Sequence, residues 1–149
     1  TPHVLRFIEY MDVGTCNRWS RNEVVDSAEL LARIGAHWPL QPVGRSHRGE
    51  VAARYRYIDG QGEIGFISSV SAPFCGDCTR ARVSADGEWF TCLFASRGVA
   101  LRPLLDADDA ALIEVIRSRW SGRSDRYSEV RAEREREAAM RVEMFRMGG

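Results

Sequence analysis

There is no lysine in these 149 residues; all 21 basic side chains are arginine. That absence removes Schiff-base chemistry and the lysine-dependent phosphate loop. It leaves every basic group a planar fork suited to bidentate contact with phosphate, although arginine-rich codon usage explains the choice itself. Net charge is missing as well: 21 acidic residues balance the 21 basic ones, so no global field draws the chain to nucleic acid or to an anionic membrane. No apolar run is long enough to span a bilayer, and no basic-then-apolar leader opens the chain. We therefore expect a cytoplasmic protein with reduced thiols, bound to neither membrane nor nucleic acid. The start at Thr1 leads us to expect a piece of a longer protein.

What is present reads as short, mixed elements. Val4 to Met11 suits a strand. Asp26-Ser27-Ala28-Glu29 offers a helix start, with Leu30, Leu31 and Ile34 on one face and Gly35 at the end. The stretch from Trp38 to Gly49, with Pro39, Pro42 and two glycines, reads as a connection and as the one internal boundary. Two hairpins are predicted. The first joins Val51–Ile58 to Glu63–Val70 through Asp59-Gly60-Gln61-Gly62, and the second joins Arg80–Ser84 to Glu88–Phe94 through Ala85-Asp86-Gly87. Asp106, Asp108 and Asp109 then precede a helix carrying Leu112, Val115, Ile116 and Trp120. Beyond Ser124 an Arg/Glu-rich tail runs to Met147, and its charge run reads most simply as a solvated face.

Four cysteines could pair as disulfides, but a C-x2-C with a third cysteine in a reducing compartment points to metal. Cys75 and Cys78 span a short loop in which Gly76 is expected to permit a tight turn. If the second hairpin turns at Asp86-Gly87, residues summing to about 172 face each other by pleat pairing. Cys92 then faces Arg80, and Arg80 and Arg82 share its face. Three thiolates leave the ligand set one short of four. Zinc would complete it with Cys16, His37 or His47, whereas a 4Fe-4S cluster would leave one iron for a ligand that is not protein. An unassisted redox dithiol is disfavoured, since no strand-helix pattern of the thioredoxin kind surrounds the cysteines.

The segments LRFIEYMDVG (Leu5 to Gly14) and GFISSVSAPFCGDCTRARVSADGEWFTCLF (Gly65 to Phe94), with the closing Gly148-Gly149, resemble the C-terminal half of the molybdenum cofactor biosynthesis protein A family. These are GTP 3′,8-cyclases of the radical S-adenosylmethionine class. The resemblance implies that Cys75, Cys78 and Cys92 carry the family's second 4Fe-4S cluster, its open iron meeting the guanine of GTP. It implies that Arg80, the backbone of Ala81, and Arg82 grip the triphosphate, that Arg6 is a further GTP contact, and that Met11 touches S-adenosylmethionine. It places Gly148 and Gly149 in the active site. Each has an ordinary counterpart: a strand-end charge for Arg6, a core side chain for Met11, a solvated face for the arginine pair, a frayed end for the glycines.

In the family a first cluster on a CxxxCxxC cleaves S-adenosylmethionine, and the resulting radical takes hydrogen from C3′ of GTP before C3′ joins C8. No CxxxCxxC is present here. We therefore expect S-adenosylmethionine and the first cluster to be held mainly by an N-terminal half, and this chain to be inactive alone. The implied partners are GTP and that half, with room for a homodimer. The fold class expected is α/β: residues 1–40 as the last elements of an incomplete TIM-type barrel, then residues 41–149 as a small α+β domain of antiparallel hairpins and helices. Outside the resemblance, the competing readings are a zinc-stapled structural or interaction domain without catalysis, and an arginine-lined nucleic-acid binder.

Overall fold

The computed structural model describes residues 3–106, 108–131 and 142–147. The chain groups into two compact units. The first is Thr1–Met11 with Trp19–Cys78, and the second is Asp12–Arg18 with Thr79–Gly149. The boundary expected near residue 40 falls inside the first unit, because the strand that starts there belongs to its sheet.

That first sheet has four strands, β1 (Leu5–Ile8), β2 (Leu40–Val43), β3 (Ala53–Tyr57) and β4 (Glu63–Ile67), in the order β1-β4-β3-β2. The predicted hairpin is β3 and β4, with Ala53 opposite Phe66 and Arg56 opposite Glu63. Its turn is built as the sequence requires: Gly60 takes φ +76°, and Asp59 Oδ1 accepts from the Gln61 amide at 2.9 Å. β2 was not expected, since Pro39 and Pro42 read as breakers. It lies at the sheet edge, where a missing N–H costs no ladder bond. β1 pairs parallel to β4, Leu5 beside Ile64 and Ile8 beside Ile67, and leaves Leu5 56% and Ile8 58% exposed. Phe66 and Ile64 form the core, each 2% exposed, with Phe7 stacked on Phe66 at 5.4 Å. Helix α1 (Ser27–Gly35) occupies the predicted span. The Asp26 side chain does not cap it, and binds Arg21 at 2.7 Å instead.

The second unit holds an antiparallel sheet of β5 (Arg82–Val83), β6 (Glu88–Phe90) and β7 (Val99–Ala100). The register follows the predicted sum, Arg82 opposite Phe90 and Val83 opposite Trp89, with Gly87 at φ +83° in the turn. A one-turn helix α2 (Arg102–Leu105) leads to α3 (Asp109–Ser121), which is capped by the Asp108 carboxylate accepting from the Ala111 amide at 2.8 Å. Trp120 of α3 stacks on Trp89 at 6.3 Å, and Phe90 is 1% exposed.

The architecture is thus mixed α/β with two sheets rich in antiparallel pairing, and no closed barrel forms among the described residues. The incomplete TIM-type barrel expected over residues 1–40 is not confirmed: β1 pairs in parallel with β4, which lies outside that span, and the sheet's other pairings are antiparallel. No described helix is long and apolar enough to cross a membrane.

Candidate metal centre

Cys75 opens a single 3-10 turn, Cys75–Asp77, and the Cys78 amide donates to the Cys75 carbonyl at 3.2 Å. Both cysteines are half-buried. Gly76 is not used as expected: a Cβ there would meet nothing within 4 Å, and its φ is not positive. A 3-10 turn needs neither feature, so the chain bends here without a glycine's freedom. The turn is tied to the loop that follows β2 through Arg45, whose Nη1 meets Asp77 Oδ2 at 3.1 Å.

The lead into the turn is held by Glu9, which follows β1 and is 4% exposed. Its Oε1 accepts from the Ser27 amide (2.8 Å), the Ser27 hydroxyl (2.9 Å) and the Ser71 hydroxyl (2.5 Å). Its Oε2 accepts from the amides of Val70 and Ser71, each at 2.8 Å. Burial alone would push this carboxyl up, but the donors, led by the Ser71 hydroxyl, outweigh it and hold the pKa at about 2. One carboxylate thereby satisfies the start of α1 and fixes the segment that carries Cys75.

Cys92 belongs to the second unit, two residues past β6, and is half-buried. The Phe94 amide points at its sulfur at 3.5 Å. A cavity of about 500 Å³ within this unit touches Cys92 and is walled partly by Arg97, Arg119, Arg126, Asp125 and Tyr127. The ladder of β5 and β6 ends before Arg80 and Cys92, so pleat pairing does not itself put them on one face, as had been expected. Arg82 is half-buried within β5; Arg80 and Ala81 precede the strand and are exposed, and the Arg80 carbonyl accepts from Arg123 Nη1 at 3.4 Å.

Among the other candidates, Arg6 is exposed on β1, its Nη1 lying 3.3 Å from where a Cβ on Gly65 would sit. Met11 is half-buried at the end of the first stretch of unit one. Gly148 and Gly149 lie outside the described residues. The suggested fourth ligands for zinc are engaged elsewhere. Cys16 donates to Glu143 Oε1 at 3.4 Å, and that carboxylate pushes its thiol up, away from the thiolate a metal needs. His47 Nδ1 meets the Ser46 hydroxyl at 2.8 Å, and the His37 ring packs beside Trp38.

No three His, Cys, Asp or Glu side chains are gathered into a ready-made ion site among the described residues. The donor chemistry nevertheless suits a thiophilic centre. None of the four cysteines is in a disulfide, and Cys75, Cys78 and Cys92 share partial burial while Cys16 is exposed. Sequence reasoning did not find Glu9, the arginines around Cys92, or the partners of Asp12 described below. Their contacts join residues far apart in the chain, which no local spacing reports.

A sequence profile described as Molybdenum Cofactor Synthesis C matches residues 3–129. Over 149 residues, the whole of this chain, it is 58% identical to a protein named GTP 3′,8-cyclase from Xanthomonas campestris pv. campestris (strain B100), of which it covers 44%. A GTP 3′,8-cyclase of Acidothermus cellulolyticus is 56% identical over 136 residues, 87% of this chain and 38% of that protein. One from Synechococcus sp. (strain CC9902) is 52% identical over 147 residues, 97% of this chain and 42% of its own. The chain therefore spans less than half the length of these relatives and corresponds to their C-terminal part. It belongs to the Molybdenum Cofactor Synthesis C family.

Proposed function

We propose that this chain is the substrate-binding, C-terminal portion of a GTP 3′,8-cyclase acting in molybdenum cofactor biosynthesis. The observation that carries the reading is 58% identity over every residue of the chain to a protein of that name, with the C-x2-C-x13-C of Cys75, Cys78 and Cys92 in place. In this reading those three thiolates ligate one 4Fe-4S cluster. When bound, the cluster supplies a Lewis-acidic iron that no protein side chain occupies, open to the guanine of GTP.

The remaining work falls to the chain's own groups. Arg80, Arg82 and the Ala81 backbone bind the triphosphate, and bidentate guanidinium contact fixes its orientation. Arg6, on the exposed strand β1, adds a substrate contact, Met11 lies against S-adenosylmethionine, and Gly148-Gly149 enters the site. The arginine-walled cavity at Cys92 supports an anionic ligand beside that cysteine. β1 supports the partial-barrel assignment: among the described residues it has a neighbour on one side only, pairs in parallel, and exposes Leu5 and Ile8, as expected of a strand continued by an N-terminal half. That half would supply the first cluster and most of the S-adenosylmethionine site, so this chain alone does not turn over.

Anaerobic iron and sulfide analysis with GTP titration tests the reading. The parent should hold iron, show broad visible absorption and bind GTP, and Cys92→Ala should lose both. Zinc without that absorption would overturn it in favour of a zinc-stapled domain, and GTP binding that survives Cys92→Ala would overturn the contact between the cluster and the guanine.

A further inference from the structure

Both flanks of Cys92 are gripped by one later stretch of chain. Before it, the buried Thr91 donates its hydroxyl to Asp125 Oδ2 at 2.6 Å, and Arg123 Nε meets the same oxygen at 3.2 Å. After it, Phe94 aims its amide at the Cys92 sulfur and lays its ring on Tyr127, centroids 4.4 Å apart. The Arg131 guanidinium lies 5.4 Å from the Phe94 ring and 5.8 Å from that of Tyr127. Asp12 closes the arrangement, Oδ2 accepting from the Tyr127 hydroxyl at 2.5 Å and Oδ1 from Arg131 Nε at 2.9 Å. Asp12 is 3% exposed, Arg131 5% and Tyr127 8%.

A buried ion pair is a poor device for stability alone, because the desolvation of both charges offsets most of their attraction. What it can supply is geometry. Here Asp12 fixes the rotation of the Tyr127 ring through its hydroxyl and the plane of the Arg131 fork, and those two surfaces confine Phe94. Phe94 in turn carries the N–H that faces the sulfur. An N–H aimed at sulfur favours its anionic, metal-ligating form, and outer partners of this kind orient a ligand.

We propose that Asp12, Thr91, Asp125, Tyr127 and Arg131 are positioning residues for Cys92, holding its sulfur and the Phe94 amide in the geometry required to ligate an iron-sulfur cluster. The inference rests on the reading of Cys92 as a cluster ligand. It goes beyond that reading by assigning a role to five residues other than the cysteines, one of them 119 positions from its ion-pair partner.

The test uses the anaerobically reconstituted holoprotein, with Thr91→Val, Tyr127→Phe, Thr91→Ser and Cys92→Ala variants. Thr91→Val and Tyr127→Phe each remove one hydroxyl donor and leave the Asp12–Arg131 pair intact, so both are expected to keep the parent's far-ultraviolet circular dichroism. The readouts are the rate at which a chelator strips iron and the electron paramagnetic resonance spectrum of the reduced protein. Thr91→Val and Tyr127→Phe should release iron roughly tenfold faster than the parent with an altered spectrum, and Thr91→Ser, which keeps the hydroxyl, should restore both. Parent-like release and spectrum in Thr91→Val and Tyr127→Phe, beside iron loss in Cys92→Ala, would overturn the positioning role alone. A Thr91→Ser variant no better than Thr91→Val would also overturn it. Full iron retention in Cys92→Ala would overturn the underlying assignment instead.

Discussion

Glu9→Gln should separate the charge on this side chain from its shape. The ionised carboxylate receives five hydrogen bonds from Ser27, Val70 and Ser71 and titrates at about 2, against an ordinary value of 4.5. A carboxyl whose folded pKa is depressed contributes stability that is complete above the unfolded value and is lost as pH falls through the folded one. At about 1.4 kcal/mol for each pH unit between the two values, Glu9 contributes about 3 kcal/mol near pH 7 and about 1.4 kcal/mol at pH 3. Glutamine is isosteric but has no charge to titrate, and its NH2 must face groups that are themselves donors. The parent should therefore exceed Glu9→Gln in unfolding free energy by about 3 kcal/mol at neutral pH, and that advantage should shrink by about 2 kcal/mol at pH 3. Urea denaturation of both proteins at the two pH values, followed by circular dichroism, measures it. A difference that is the same at both would show that packing rather than ionisation makes Glu9 matter. Because the same carboxylate fixes the approach to Cys75, the variant should also lose iron more readily at neutral pH.

Three further outcomes are expected. Arg80→Ala and Arg82→Ala should each weaken GTP binding roughly tenfold or more without loss of iron, as isothermal titration would show; affinity equal to the parent's in both would contradict the triphosphate role. Gly98→Ala should destabilise the second unit by about 1–3 kcal/mol, since its Cβ would lie 2.9 Å from both Glu88 Cβ and Phe90 Cζ, and thermal melting reads this directly. Gly14→Ala should cost a similar amount, about 1–3 kcal/mol. The residue sits at φ +72°, and the added Cβ would fall 2.0 Å from Glu143 Oε2, displacing the carboxylate that binds Thr15; Glu143→Gln should show a smaller loss, because the backbone strain is absent.

What the sequence determined by itself was local. Asp59-Gly60 and Asp86-Gly87 each fix a turn through a short carboxylate and a residue tolerant of positive φ, and a turn between two strands sets their register within a few residues. Asp108 caps α3 for the same reason of proximity, and the two-residue spacing of Cys75 and Cys78 places both at one 3-10 turn. Tertiary structure decided the rest. Pro42 forms a strand because β2 happens to be an edge, and no reading of the prolines alone reveals which strand has a neighbour missing. Glu9 reads as one polar residue in an apolar run until Ser27 and Ser71, 18 and 62 positions away, are folded around it. Asp12 and Tyr127 are 115 positions apart. Periodicity and capping act over a few residues, whereas a buried carboxylate is satisfied by whichever donors the fold delivers to it. For that reason the turn joining Cys75 and Cys78 was legible from their spacing, and the contacts around Glu9 and Asp12 were not.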